Sequence, residues 1–306
     1  MLTTWLVTGA PGFLGMNAGV FLSGKVNLVG QARTPRELPL YDRVVAADLR
    51  DERATAALIR EVRPDVVLHA AAMSGHETCA HDPAGAIAVN VTATRIISEV
   101  VQDLGSRMVY ISTDAVFAGR DGDYRETDEP EPFSNYGETK LGGEQAVREA
   151  VADHLIVRTN FFGWSHRGDR SVLEFFVNAL RSGTPVRGYP DFIVTSIYVQ
   201  SLLQAIWDLG SLGTTGLVHV ASSDARSKYE FGLTVARVFG LDEGLITPEH
   251  SEAGRHGTSR SRDISLNSDR YTALVGRPAQ SQWEGVRQSK AEEQPLTGLL
   301  RVRQQC

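Results

Sequence analysis

The chain of 306 residues is poor in cysteine. Cys79 and Cys306 are too few and too far apart for a disulfide framework or a cysteine-rich metal site, so a reduced, cytoplasmic setting is expected. Positive charge is also in deficit. A net charge of -6 and a pI near 5.8 would repel a phosphate backbone, which argues against nucleic acid as a partner and requires any phosphorylated ligand to be met by local groups. Long apolar runs are absent: nothing approaches the roughly 20 consecutive apolar residues that a membrane-spanning helix needs. The first residues enter a strand-like run, Thr3 to Thr8, with no basic segment, apolar stretch and cleavage site of a signal peptide. Neither export nor a membrane is expected. What is present suffices for a core, since 42% hydrophobic and 22% charged residues are ordinary for a globular chain of one large α/β unit or two modest domains.

Apolar runs alternate with segments of helical period. Trp5 to Val7, Val26 to Val29, Val44-Val45, Val66 to Leu68, Met108 to Ile111 and Leu155 to Val157 read as strands. Phe13 to Leu22, Arg53 to Val62, Ala84 to Leu104 and Gly137 to Val151 read as the helices between them. Strands that are continuously apolar, rather than alternating, are buried on both faces, which predicts a doubly wound parallel sheet in an α/β fold. After Thr159 the rhythm breaks. Helices near Ser171 to Arg181, Ile197 to Leu209 and Tyr229 to Phe239, with a strand at Leu217 to Val220, suggest a smaller interleaved lobe. The expected division is a nucleotide-binding domain over 1–160, rejoined by about 191–218, and a substrate-binding lobe over 161–190 and 219–280. A loop over 249–263 and a polar, partly disordered tail over 281–306 complete it.

The run Thr8-Gly9-Ala10-Pro11-Gly12-Phe13-Leu14-Gly15 follows the first strand and opens the first helix. In that setting Gly9 makes a tight turn, Gly12 lets the backbone approach a pyrophosphate and Gly15 permits close helix packing, while the helix N-terminus faces the phosphates. At the end of the second strand, where an NAD-selective site offers a carboxylate to the ribose, the sequence is Gln31-Ala32-Arg33-Thr34. A guanidinium there suits a 2′-phosphate and favours NADP(H), with NAD(H) possible; the bland alternative is a solvated arginine. Asp48 and Leu49 end the third strand near the adenine position, with Asp48 alternatively a helix N-cap. The first, fourth, fifth and sixth strands deliver Gly9, Ala70, Thr113 and Asn160 to one rim, where open α/β sheets bind ligands. Tyr136 and Lys140 stand four residues apart on one helix face just after that rim.

These motifs resemble the extended short-chain dehydrogenase/reductases, a Rossmann-type superfamily, and within it the dTDP-4-dehydrorhamnose reductase group. The matching residues are Thr8 to Gly15, His69-Ala70-Ala71-Ala72, Asn90-Val91, Ser112 to Gly119, Tyr136 to Lys140, Arg158-Thr159 and a C-terminal Arg262-Asp263-Ile264-Ser265-Leu266. The resemblance implies that Tyr136 gives a proton to a carbonyl oxygen, that Lys140 binds the nicotinamide ribose and favours tyrosinate, and that Thr113 hydrogen-bonds the reacting oxygen. It further implies cofactor contacts from Pro11, Phe13, Leu14, Ala71, Ala72, Asn90 and Phe161, an NADPH-dependent reduction of a nucleotide-activated 4-keto-deoxysugar, and a homodimer. Related dehydratases carry Asp-Glu after the threonine; here Asp114 is followed by Ala115, which leaves the elimination pair incomplete. A redox-neutral sugar-nucleotide epimerase and a non-catalytic, NADP-binding regulatory subunit are the alternatives.

Weaker signals surround this set. Asp114, Ala115, Phe162, Trp164 and Arg262 fall where a substrate would lie, although aromatics equally often fill a core and arginines are solvated by default. His69 ends a buried strand and reads as packed and hydrogen-bonded. His76 and His81 flank Cys79 at a spacing that matches no zinc pattern well, so no metal site is expected.

Overall fold

The computed structural model describes residues 2–250 and 263–301. Its centre is a seven-stranded sheet built from β1 (Thr4–Thr8), β2 (Asn27–Ala32), β3 (Arg43–Ala46), β4 (Val66–His69), β5 (Arg107–Ile111), β6 (His154–Arg158) and β7 (Gly216–His219), in the order β7-β6-β5-β4-β1-β2-β3. The first six strands pair in parallel. Their apolar runs are buried, as continuous Val/Ile/Leu strands require; Leu6, Val7, Leu28, Val67, Met108 and Ile156 are almost wholly inaccessible. The strand order reverses between β1 and β4. That is the switch point at which the carboxyl ends of neighbouring strands diverge and leave a crevice.

Helices α1 (Phe13–Leu22), α2 (Glu52–Val62) and α5 (Ala93–Leu104) form the crossovers, and α6 (Asn135–Ala150) follows β5. Two short helices, α3 (His76–His81) and α4 (Pro83–Ile87), precede a single π turn at Ala88–Thr92 that runs into α5. The sequence predicts one helix over 84–104; the backbone instead widens at the π turn, where Asn90 sits. Among the described residues, Pro83–Leu104 is the one helical stretch long and apolar enough to cross a membrane by length and composition, but 50% of its most apolar window is buried inside the fold. It is a core helix, packed between α2 and α6.

The chain divides into two compact units. The first comprises residues up to Val116, Pro130–Arg158 and Gly213–Val218; the second comprises Phe117–Glu129, Thr159–Leu212 and residues from His219 onward. The first unit thus recovers 213–218 rather than the longer 191–218 expected. Residues 191–212 stay with the second unit because Ile197–Tyr198 pairs in parallel with Phe161–Phe162 and continues into α8 (Val199–Ser211). In that unit α7 (Val172–Arg181), α9 (Lys228–Phe239), α10 (Asp269–Val275), α11 (Gln282–Ala291) and α12 (Glu293–Arg301) surround three small two-stranded pairs.

The polar tail beyond residue 281 is helical up to Arg301, contrary to expectation. Ser281 caps α11 in a capping box with Glu284, and Gln282, Gly285, Val286 and Ser289 turn a buried face inward. A face carrying only one aliphatic side chain is invisible to hydropathy. Most of the loop expected over 249–263 lies outside the described residues.

Close packing of α6 on the sheet depends on Gly143. A Cβ there would overlap the Tyr110 hydroxyl and lie 2.6 Å from the Asn90 carbonyl oxygen. Gly143→Ala is expected to destabilise the protein by about 1–3 kcal/mol, as overpacking does. Gly142→Ala, whose Cβ would meet only Val91 at 3.1 Å, should cost less. Urea unfolding of the two variants checks the difference, and equal midpoints would show that α6 does not need the glycine.

Candidate active site

The glycine loop leaves β1 with Gly9 at φ +68°, a left-handed conformation that favours glycine, and a Cβ on Gly9 would come within 2.9 Å of the Ala71 Cα at the end of β4. Gly15 is equally constrained, since its Cβ would fall 2.6 Å from Ala10. Gly12 N–H donates to the Gly9 carbonyl at 2.8 Å and closes the turn. The N-terminus of α1 begins at Gly12 with no side-chain cap and no acidic residue in its first turn, so its dipole favours an anion there. Pro11 and Phe13 flank this opening half-buried, whereas Leu14 packs inward.

Gln31 proves to be a support that sequence reasoning missed. Its Oε1 accepts from Gly9 N–H at 2.8 Å and its Nε2 donates to the Ala47 carbonyl at 2.7 Å, which fastens the loop to the ends of β2 and β3. Arg33, the first residue beyond β2, is exposed. Asp48 is less available than expected: Arg50 donates to both of its oxygens, at 2.5–3.1 Å, and these bonds hold its carboxyl down at about 2. Nor does Asp48 cap α2, since Ala54 N–H donates to Asp51 instead. Leu49 turns its side chain into the core cluster.

Behind Ala70, Ala71 and Ala72 runs a buried polar chain. Ala71 N–H donates to Thr8 Oγ1 at 3.1 Å, Thr8 Oγ1 lies 2.7 Å from His69 Nδ1, His69 Nε2 lies 2.9 Å from Thr94 Oγ1, and Thr94 donates to the Asn90 carbonyl at 2.8 Å. Because the Thr94 proton is committed to Asn90, His69 must donate from Nε2 and accept at Nδ1. Burial then holds the imidazole neutral, with its pKa down at about 3. Asn90 was expected at the cofactor, but its amide is spent within the protein. Oδ1 accepts from Met73 N–H at 2.8 Å, and Nδ2 donates to the Met73 carbonyl and to Thr139 Oγ1, each at 3.0 Å. It clamps the segment after β4 to α6.

Thr113, Tyr136 and Lys140 come together. Thr113 follows β5, donates to Asp114 Oδ1 at 3.0 Å, accepts from Ala115 N–H at 3.1 Å and stands near enough to Tyr136 to act on its phenol. Ser134 caps α6, so Tyr136 and Lys140 occupy its first two turns, and Gly137 brings that turn against the Ala115 carbonyl. The Tyr136 hydroxyl lies at the buried end of a half-exposed ring, and burial pushes it up to about 12 although Thr113 opposes this. Lys140 is 3% exposed, its Nζ 4.0 Å from the centre of the Tyr110 ring. Burial draws it down to about 7, opposed by Glu144. The expected lowering of the tyrosine by the lysine is therefore not what this arrangement produces, since burial moves both groups toward neutrality. His76, which sequence reasoning set aside, presents its ring edge-on to Tyr136 at 5.7 Å and stacks on Phe133 at 5.5 Å.

The remaining expected residues lie in the second unit. Asn160 accepts from the Ser196 hydroxyl at 2.7 Å, and Phe161 pairs with Ile197. Phe162 is fully buried against Phe231 and Tyr198, and Trp164 donates its indole N–H to the Ser289 carbonyl at 2.7 Å. Both rings are core, which corrects their placement at a substrate. Arg262 lies outside the described residues.

Against this geometry, residues 3–294 match the family model of the RmlD substrate binding domain. The chain belongs to that family. A probable low-salt glycan biosynthesis reductase of Haloferax volcanii is 34% identical over 78% of the chain and 81% of its own length. A dTDP-4-keto-6-deoxy-D-glucose reductase of Streptomyces niveus is 29% identical over 89% and 91%. The fold is shared with a dTDP-4-dehydrorhamnose reductase of Bacillus anthracis, solved in complex with NADP, at a TM-score of 0.82 and 23% identity over 95% of this chain and 100% of that one. Membership in the RmlD family accords with the glycine loop and with the Thr113, Tyr136 and Lys140 set, all carried by the first unit.

The buried lysine makes stability depend on pH. With the folded amine titrating at about 7 and an ordinary lysine at 10.5, the unfolded chain binds the extra proton between those values, so stability rises with pH across that window. Lys140→Met should remove this rise, and the wild type should gain on the variant by at most about 1.4 kcal/mol per pH unit between pH 7 and 9. Chemical unfolding at several pH values measures it; a difference that stays flat would show an ordinary, unperturbed amine.

Proposed function

We propose that this protein is an NADPH-dependent reductase of a nucleotide-activated 4-keto-deoxysugar, with the cofactor held by the first unit and the sugar nucleotide received by the second. The observation that carries the reading is the buried Lys140 amine one helical turn beyond Tyr136, with Thr113 acting on that phenol. Among the described residues none accepts a hydrogen bond from that amine, whose Nζ lies over the Tyr110 ring, so it has donors to offer a ligand's hydroxyls. Such unspent donors, the uncapped α1 N-terminus and a Gly9 cradle that a Cβ would fill all fit a dinucleotide. Arg33, in place of a carboxylate, favours the 2′-phosphorylated form.

When bound, the dihydronicotinamide supplies a hydride to the carbonyl carbon. Lys140 holds the ribose hydroxyls. Tyr136 gives the carbonyl oxygen its proton, so that hydride and proton together convert C=O to CH–OH, and Thr113 can bond that oxygen only by turning its one proton away from Asp114. A tyrosine kept protonated to about 12 is ready as an acid at neutral pH, which suits reduction better than a standing tyrosinate would.

The decisive assay follows NADPH absorbance with a panel of dTDP-4-keto-6-deoxysugars. Stoichiometric oxidation is expected, together with a loss of about 10²–10⁴-fold in kcat for Tyr136→Phe at near-unchanged NADPH affinity, the usual worth of a positioned acid. Interconversion without NADPH loss would make it an epimerase. Cofactor binding with no turnover on any member would make it a regulatory subunit.

A further inference from the structure

Glu144 stands one helical turn beyond Lys140 on α6 and is 0% exposed. Its carboxylate accepts from the Ser112 hydroxyl at 2.5 Å and from Arg158 Nε and Nη2 at 2.9 and 2.8 Å, and it also meets Arg148. Ser112 immediately precedes Thr113, and Arg158, 1% exposed, ends β6. One carboxylate therefore joins the helix that carries Tyr136 and Lys140 to the strand end that carries Thr113.

Resting on the reductase reading above, we propose that Glu144 is the positioning residue of this site. Through Ser112 and Arg158 it fixes the Tyr136 and Lys140 face of α6 against the end of β5, and it keeps a negative charge beside the lysine. The groups facing Lys140 leave this role to no other carboxylate. His69 approaches from β4, Tyr110 from β5 and Tyr136 from α6, while Asp114 and Cys79 act on Tyr136. Glu144 alone raises the lysine against the burial that depresses it.

The chain has four lysines, Lys25, Lys140, Lys228 and Lys290, and Lys140 is the buried one, so ε-carbon-labelled lysine reports its titration with or without turnover. In full-length Glu144→Gln, the Lys140 midpoint should fall by about half a pH unit or more, and kcat by about tenfold with NADPH affinity within about threefold. Glu144→Gln/Arg158→Gln, which leaves no lone buried guanidinium, serves if the single variant does not fold. Ser112→Ala breaks the tie to β5 while keeping the charge; it should lower kcat by about fivefold and leave the lysine midpoint in place. An unmoved lysine midpoint with kcat within about twofold of wild type, in a folded Glu144 variant, overturns the proposal. So does wild-type kcat in Ser112→Ala if neither Glu144 variant folds. Should the wild type bind NADPH yet reduce no ketosugar, the functional reading fails and the lysine titration still decides this one.

Discussion

A carboxylate with no exposure to water is the constraint around which the first unit is arranged. Burying Glu144 is favourable only if its charge is met by well-oriented donors, and removing one partner of such a pair costs far more than the pair contributes. Arg158 meets it in a two-pronged geometry from β6 and Ser112 meets it from the end of β5. These contacts can be satisfied together only at one position of α6 against the sheet. The positions of Tyr136 and Lys140 relative to Thr113 follow from that one solution. Gly143 permits the approach, and Asn90 repeats the logic on the far side by spending its whole amide on Met73 and Thr139.

Desolvation acts in opposite directions on acids and bases, and this site uses both. The Tyr136 phenol is held protonated and the Lys140 amine is brought to the edge of losing its proton at neutral pH. His69, close to the lysine, is kept neutral by burial and by a hydrogen-bond chain that commits each of its nitrogens. His69 and Lys140 therefore add little fixed positive charge beside Tyr136. Glu144 opposes this drift at the lysine and sets how much charge remains there.

What the sequence made legible was whatever depends on local pattern. The buried strands, the crossover helices and the glycine loop were readable because strand burial, helical period and the turn at Gly9 are all written within a few neighbouring residues. Tyr136 and Lys140 were readable because four residues is one helical turn. What was not legible shares a different cause. Asn90 and Asp48 carry the right atoms for a ligand, but Met73 and Arg50 claim those atoms, and nothing local announces the competition. Phe162 and Trp164 look like a pocket lining until Phe231, Tyr198 and Ser289 are brought beside them from far along the chain. Glu144 gave a signal that went unused: a second step of four residues along the face begun by Tyr136 and Lys140 places a charge where burial is certain, and a buried charge demands a partner.

The cofactor preference proposed for Arg33 would follow a contrasting rule. Arg33 is exposed, and an exposed cation is screened over about 8 Å at physiological ionic strength, so its influence is confined to groups close beside it. The arrangement makes that short range sufficient. Asp48, which would otherwise repel a phosphate, is neutralised by Arg50 at contact distance, so the trio of Arg33, Asp48 and Arg50 presents one net positive charge to an incoming anion. A single carboxylate in place of Arg33 would leave the trio with one net negative charge and reverse the preference. On the reading proposed above, selectivity for a phosphorylated ribose would change by surface substitution alone, whereas the placement of Tyr136 and Lys140, tied to a buried carboxylate, would not be altered one residue at a time.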